Sequence, residues 1–198
     1  MLPADVDQAA DMILSHDWGV RREFLAFAAS QPACSPMVAE VDGAIVGTGV
    51  GTANGLIGWI GTIFLAPAWR GQGLGRAITQ AIIDRLESAG ARTLALVATA
   101  DGRRLYQKMG FEVQTRYRIL EAPGISPPGG VVSPVRPFQP DDLHAMVALD
   151  REGTGEDRSK VIERFATPES AMVLPRADGG IDGFVIRAPW GGGATIAR

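Results

Sequence analysis

Apolar residues recur every three or four positions in several stretches of the N-terminal half, and this spacing predicts helices. The first is marked by Val6, Ala10 and Ile13, with acidic residues where a helix N-terminus favours them. The third stops at a glycine, which favours helix termination. The predicted helices cover residues 5–16, residues 20–30, a stretch from Leu74 to Gly90, and residues 101–109.

Between these helices, the apolar residues form runs that are typical of β-strands. One run, residues 92–99, is too apolar to alternate, so we expect a central strand that is covered on both faces. The predicted strands are two within residues 37–50, joined by a turn at Asp42-Gly43, one at residues 56–65, one at residues 92–99, and an alternating one at residues 111–120.

Residues 44–69 carry no charged side chain and resemble a membrane span in composition. Their many glycines disfavour a long helix, and "TANG" within them is a turn signal. We therefore expect two buried strands joined by a hairpin rather than a membrane helix.

The chain repeats part of its pattern after residues 122–134, a stretch dense in proline and glycine that predicts a linker. "MVLPRADGGIDGF" at 172–184 echoes "MVAEVDGAIVGT" at 37–48, and Arg158 stands at nearly the same offset as Arg22. This self-similarity predicts a duplicated domain. The expected divisions are a first domain at residues 1–121, the linker, and a partial second copy at residues 135–198 that keeps a first strand at residues 135–138.

Composition narrows the expected partners and compartment. The net charge of −3 and pI of about 5.4 argue against nucleic-acid or membrane binding through bulk charge. The N-terminus, "MLPADVDQAA", lacks the basic start and apolar core of a secretory signal. Cys34 is the one cysteine, which excludes an internal disulfide and fits a reducing compartment. We expect a cytoplasmic protein without metal, nucleic-acid or membrane partner, in which Cys34 is a half-buried thiol.

The segment "PAWRGQGLGRAITQ" at 67–80 places a glycine-rich turn between a strand and a helix start. Backbone amides converge at such a turn and the helix dipole favours negative charge, so the segment predicts an anion site, most often for phosphate. A Walker A loop needs Gly-Lys-Ser/Thr, but Gly75 is followed by Arg76. A dinucleotide fingerprint needs G-x-G-x-x-G, whereas this segment has G-x-G-x-G and no acidic ribose ligand after it.

The segment is similar to the pyrophosphate loop of the GNAT superfamily of N-acetyltransferases, Q/R-x-x-G-x-G/A, with Arg70, Gly73 and Gly75 in place. Downstream, "TADGRRLYQKMGF" at 99–111 resembles the superfamily's N-x-x-A-x-x-L-Y-x-x-x-G-F. The resemblance covers residues 1 to about 120. It implies an α/β (α+β) fold with a mixed, mostly antiparallel central sheet flanked by helices, followed here by a partial second GNAT-like half-domain.

Three features depart from the superfamily pattern. Thr99 stands where asparagine is common, and Gly102 stands where alanine is common. No strand is predicted before the helix near Asp5, so the first domain is expected to lack an edge strand or to borrow one.

The resemblance implies acetyl-CoA as co-substrate and an amine, on a small molecule or a protein, as acceptor. Backbone amides of the loop would bind the pyrophosphate, and a strand splayed from its neighbour would bind the pantetheine and polarise the thioester carbonyl, as an oxyanion hole does. The amine would attack directly, and Tyr106 would supply a proton or hydrogen bond to the departing thiolate. The implied donor-site residues are Ile63, Phe64, Leu65, Arg70, Gly71, Gln72, Gly73, Leu74, Gly75, Arg76 and Thr99.

The general base and the acceptor pocket stay open at this point. Glu40, His16 and Glu112 are candidate bases without a supporting motif, and water is a further candidate. Residues 16–18 lie where relatives line the acceptor pocket, and Trp59 is expected in the core or facing the acceptor.

A non-catalytic protein, either an acyl-CoA sensor or an assembly module, is the competing class. The second copy lacks the phosphate loop, so we expect one CoA site per chain. A truncated sheet leaves strand edges and an apolar face that invite pairing. We therefore expect residues 135–198 to be structural or to form a homodimer.

Overall fold

The computed structural model describes residues 1–116, 134–188 and 193–198. The N-terminal part contains α1 (Val6–Leu14), α2 (Arg22–Ser30), β1 (Cys34–Val41), β2 (Ala44–Asn54), β3 (Ile57–Leu65), α3 (Leu74–Ser88), β4 (Thr93–Leu96) and α4 (Ala100–Lys108). The C-terminal part contains β5 (Arg136–Pro137), α5 (Leu143–Thr154), α6 (Ser159–Phe165), β6 (Ala171–Pro175), β7 (Ile181–Ile186) and β8 (Thr195–Ala197).

The N-terminal part, called the first half below, is built on a four-stranded sheet in the order β1-β2-β3-β4. The first three strands are antiparallel and β4 runs parallel to β3. Helices α1 and α2 pack on one face around Ile13 and Leu25, and α3 packs on the other around Ile82. The fold is the mixed, mostly antiparallel sheet flanked by helices that the sequence implies.

The uncharged stretch forms the hairpin of β2 and β3, as the sequence predicts. Asn54 pairs with Ile57, and the turn between them begins at Gly55, whose φ of 73° suits glycine. Within the described residues, no helix has both the length and the apolarity needed to cross a bilayer.

The strand predicted at residues 92–99 is formed only over β4, and it is less buried than expected. The strand is short, its one described neighbour is β3, and its residues are half-buried or exposed. Residues 111–116 form no strand, and at the end of α4 the Phe111 amide donates to the Tyr106 carbonyl. Residues 117–120, the rest of that predicted strand, and most of the predicted linker lie outside the described residues.

The sheet of the first half begins at β1, and no strand precedes α1 in the described chain. The two-residue strand β5 pairs with β6 rather than with β1. Among the described residues, therefore, the first half has no edge strand before α1 and does not borrow one from the second half.

The C-terminal part, called the second half below, forms its own sheet in the order β5-β6-β7-β8. After β5, the second half has two helices followed by three strands, which is the order of elements from α1 to β3 in the first half. Gly179, with a φ of 87°, marks its hairpin turn as Gly43, with a φ of 77°, marks the first. A partial half-domain fits this sheet, whereas the duplication itself, the expected domain boundaries and the homodimer stay predictions.

The two halves share apolar contacts. Phe27 of α2 belongs to the core of the second half, and its ring centroid lies 5.2 Å from that of Phe165. Cys34 is half-buried, as predicted, and its side chain packs against the cores of both halves. Burial raises the pKa of the Cys34 thiol, which keeps it protonated and poorly nucleophilic near neutral pH.

Candidate active site

The glycine loop ends at the N-terminus of α3 with a run of unpaired backbone amides. Gly71 and Gly73 have φ angles of 76° and 87°, a region that favours glycine, and Gly73 caps the helix. The first backbone hydrogen bond of the helix is donated by Ala77 to the Gly73 carbonyl. Within the described residues, no amide from Gly71 to Arg76 donates a hydrogen bond, so six consecutive donors are left without a partner at a helix start.

Two side chains of the loop hold it in place rather than reach for a ligand. The Arg70 Nε donates to the Leu65 carbonyl at 3.1 Å, and its guanidinium lies 5.8 Å from the centroid of the Phe64 ring. The Gln72 amide nitrogen donates to the Ala68 carbonyl at 3.0 Å. The loop is therefore tied to the end of β3 and to the turn that follows it.

The two sequence motifs lie side by side. A Cβ atom placed on Gly75 would stand 3.5 Å from the Leu105 Cδ2, so α4 packs against the first turn of α3. Three exposed arginines of α3 and α4 make no ion pair with any described residue, namely Arg76, Arg103 and Arg104. Positive side chains beside bare amides form a surface that suits a polyanion.

Strand β3 separates from β4 beside this loop. Their pairing ends at Ile60 and Leu96, so the rest of β3 has no described partner on that side. The register with β2 shifts at the same place, where Thr62 has a φ of 52° and its carbonyl accepts the Thr48 hydroxyl at 3.0 Å. Residues 63–65 follow this bulge, and Leu65 lies next to the loop, where its carbonyl accepts from Arg70.

Tyr106 lies buried on α4 with its ring edge-on to Phe111, at a centroid distance of 6.1 Å. A Cβ atom on Gly102, one helical turn earlier, would stand 2.9 Å from the tyrosine ring, so glycine leaves room for it there. Burial raises the pKa of Tyr106, which keeps the phenol protonated across the neutral range.

Thr99 caps α4, which is a role that the sequence did not assign. Its hydroxyl oxygen accepts the Gly102 amide at 3.2 Å. The hydroxyl proton remains available as a donor.

An apolar cavity of about 320 Å³ lies between α2, the hairpin and the end of β4. Among the described residues, none of its lining side chains is ionisable, and hydroxyls of Thr52 and Thr62 are among its few polar groups. Trp59 forms part of the wall, so it faces this space. The lining residues are Phe24, Val50, Thr52, Trp59, Ile60, Gly61, Thr62 and Val97.

The loop between α1 and α2 packs on the neighbouring part of β3. The ring of Phe64 lies 5.7 Å from that of His16 and 5.3 Å from that of Trp18, centroid to centroid. The His16 Nδ1 is engaged with the Met12 carbonyl at 2.8 Å. His16 is thus brought to β3, whereas Glu40 and Glu112 are exposed and do not line the cavity.

Glu156 is the residue near the cavity that sequence reasoning missed. Its Oε2 accepts the Trp59 indole N–H at 2.9 Å and the Asn54 side-chain amide at 2.7 Å. Residues 154–158 read "TGEDR", which is typical of a solvated loop, and no local pattern could have placed this carboxylate beside a strand of the first half.

The sequence of the first half matches a known protein family. The model of the Acetyltransferase (GNAT) family matches residues 5–111, more than half of the chain. No curated protein matches the chain.

Solved structures share the fold at low sequence identity. A ribosomal-protein-alanine N-acetyltransferase from Brucella melitensis biovar Abortus 2308 is 21% identical with a TM-score of 0.51, covering 62% of this chain and 96% of that one. A predicted acetyltransferase from Clostridium acetobutylicum, solved with acetyl-CoA, is 17% identical with a TM-score of 0.52, covering 61% and 92%. An aminoglycoside N-acetyltransferase in complex with CoA is 16% identical with a TM-score of 0.51, covering 62% and 91%. The family match over the first half shows that the chain belongs to the GNAT family of acetyltransferases.

Proposed function

We propose that this protein transfers the acetyl group of acetyl-CoA to a primary amine. The observation that carries the proposal is the run of six amides, from Gly71 to Arg76, that open α3 without a partner in the described chain. They lie beside a strand that separates from its neighbour after Ile60. The amides suit a diphosphate, and the edge of β3 that has no described partner suits an extended chain.

The residues around the loop fit a CoA-sized polyanion. Amides of Gly71 to Arg76 bind the pyrophosphate, and the arginines of α3 and α4 that make no ion pair with a described residue add positive charge for its phosphates. Ile63 to Leu65 offer backbone groups to the pantetheine, and the Thr99 proton is a further donor. Arg70 and Gln72 act by keeping the loop in shape.

Acetyl-CoA supplies an activated thioester, and the protein positions the amine and the hydrogen-bond donors around it. A backbone amide of β3 near the bulge polarises the carbonyl as negative charge develops on its oxygen. The amine nitrogen attacks the carbonyl carbon, the C–S bond breaks, and the sulfur leaves as a thiolate. Tyr106, protonated because burial raises its pKa, stabilises that thiolate by donating a hydrogen bond.

We assign the acceptor to the apolar cavity, which favours an amine on an apolar body. None of the described lining side chains is ionisable, so an ammonium ion would find no counter-ion among them. The amine is therefore bound in its neutral, nucleophilic form, and the protein needs no dedicated base. Water takes the proton that the amine releases after attack.

Thiol release tests the proposal. Purified protein is mixed with acetyl-CoA and, one at a time, 2-phenylethylamine, hexylamine, glucosamine, spermidine and a peptide that begins with alanine. We expect amine-dependent release of CoA, fastest for the two apolar amines. Acetyl-CoA binding by calorimetry without release for any amine would instead support the non-catalytic sensor, and no binding would contradict both.

A substitution in the cavity wall tests the acceptor assignment separately. Nothing lies within 4 Å of a Cβ atom on Gly61, which lines the cavity. Gly61→Val therefore places two methyl groups in the cavity, and we expect a higher KM for the amine with an unchanged Kd for acetyl-CoA. An unchanged amine KM would remove the acceptor from this cavity.

A further inference from the structure

A carboxylate of the second half is bound to the wall of the cavity in the first. Glu156 is 7% exposed, and one of its oxygens accepts two hydrogen bonds, from Trp59 at 2.9 Å and from Asn54 at 2.7 Å. Asn54 is itself buried at the end of β2. A buried carboxylate that accepts charge-assisted bonds at these lengths strongly orients its donors.

The loop that carries Glu156 is fixed by its own hydrogen bonds. Gly155 ends α5 with a φ of 70°, which turns the chain, and the Glu156 amide donates to the Thr154 hydroxyl at 3.1 Å. The loop is also tied to α5, because the guanidinium of Arg158 donates one hydrogen bond to each oxygen of the buried Asp150 carboxylate. These hydrogen bonds hold the loop in the conformation that places the Glu156 carboxylate against the first half.

We propose that Glu156 is a positioning residue for the acceptor, so that the second half completes the amine site of the first. The inference rests on the proposed function, because it assigns the cavity beside Trp59 to the amine. Glu156 does not line the cavity itself. It fixes the indole ring of Trp59, and the ring forms the wall against which the apolar part of the amine packs.

If Glu156 only held the two halves together, any substitution that weakens their contact would affect the amine KM equally. A substitution of Phe165 serves as the control for this alternative. Phe165 packs against Phe27 across the same junction, away from the residues that line the cavity. Phe165→Leu weakens the contact between the halves but leaves the hydrogen bond to Trp59 in place. Glu156→Ala, Glu156→Asp and Glu156→Gln change that bond directly.

The experiment measures the amine KM, the acetyl-CoA Kd and the melting temperature of these variants, using the amine of the five above that the wild type acetylates fastest. Without the hydrogen bond to Glu156, the indole ring of Trp59 no longer stays in the cavity wall, and we expect the amine KM to rise about tenfold in Glu156→Ala. Glu156→Asp keeps the charge but shortens the reach, so its KM rises similarly. Glu156→Gln keeps an oxygen that accepts both bonds, so its KM stays within about threefold. The acetyl-CoA Kd is unchanged throughout.

Two outcomes overturn the inference without touching the proposed function. One is an active Glu156→Ala or Glu156→Asp protein with the wild-type amine KM. The other is a rise in amine KM in Phe165→Leu that matches the rise in the Glu156 variants at equal loss of melting temperature. A wild type that acetylates none of the five amines overturns the proposed function, and the inference with it.

Discussion

The Cγ2 atom of Ile78 lies 2.5 Å from the point where a Cβ atom on Gly49 would stand. Side chains of Ile63 and Ile82 close on the same point at 2.7 and 2.8 Å. Glycine at alternate positions of β2 therefore lets α3 lie directly on the sheet. Because α3 starts at the glycine loop, this close packing also fixes where the loop stands.

We expect Gly49→Ala to destabilise the protein by about 1–3 kcal/mol, because an added methyl group overpacks the contact with α3. Chemical denaturation measures the change. Gly61→Ala is the matched control, since it lies in the next strand with nothing within 4 Å of its Cβ position. Equal stability of the two variants would contradict the packing argument.

Much of this packing could be predicted from local sequence patterns. The face of α3 follows from apolar residues at Leu74, Ile78 and Ile82, because helical spacing is a short-range property. Hairpin turns follow from Asp42-Gly43, whose φ angles of 48° and 77° suit those two residue types. The close approach itself could not be predicted, because the glycines of β2 also fit a turn or a flexible segment.

The bulge of β3 and the place of β4 depend on long-range contacts. Thr62 takes a φ of 52° that threonine rarely adopts, and a hydrogen bond from Thr48 on the neighbouring strand accompanies it. The apolar run at 92–99 indicates burial but not which neighbour supplies it, and Val97 is in fact 62% exposed. Glu156 meets Trp59 across 97 positions, a relationship that no periodicity reports.

Gly73→Val is expected to weaken acetyl-CoA binding at least about tenfold, or roughly 1.4 kcal/mol. Valine is strained at a φ of 87°, so the loop must rearrange and its amides no longer converge. Calorimetry with acetyl-CoA measures the affinity. Gly43→Val carries similar strain at a φ of 77° in a hairpin turn with open space around it, so it should lose stability but bind normally. Equal affinity of the two folded variants would refute the site.

Tyr106→Phe is expected to lower kcat by roughly 10²-fold, the low end for loss of a proton donor, and to leave the acetyl-CoA Kd unchanged. Phenylalanine keeps the edge-on contact with Phe111 and removes the hydroxyl alone. Phe111→Leu is the control, because it loosens the ring contact and keeps the hydroxyl. Wild-type turnover in Tyr106→Phe would remove this residue from the mechanism.

The second half is expected to lose stability in acid through Asp142. Hydrogen bonds from Arg136, at 2.7 Å to each oxygen, and the Gln139 amide hold the pKa of this carboxyl below its usual range. A lowered folded-state pKa stabilises the protein above about pH 4, and that contribution is lost as the pH falls through the folded-state pKa. Melting curves from pH 7 to pH 3 should show Asp142→Asn less stable than wild type at pH 7, with the difference shrinking in acid. Asp141→Asn, next to it and exposed, should melt like wild type at every pH.

The chain is expected to bind one acetyl-CoA. Residues 135–198 contain no counterpart of the segment from Arg70 to Arg76, although the second half repeats the element order that precedes it in the first. No glycine-rich turn leads into a helix within residues 134–188 and 193–198, so we expect the described part of the second half to offer no converging amides for a pyrophosphate. Calorimetric titration should therefore give a stoichiometry near one, and Gly73→Val should weaken all of the binding rather than half of it. A stoichiometry near two, or a second class of sites that survives in Gly73→Val, would show that the second half binds the donor as well.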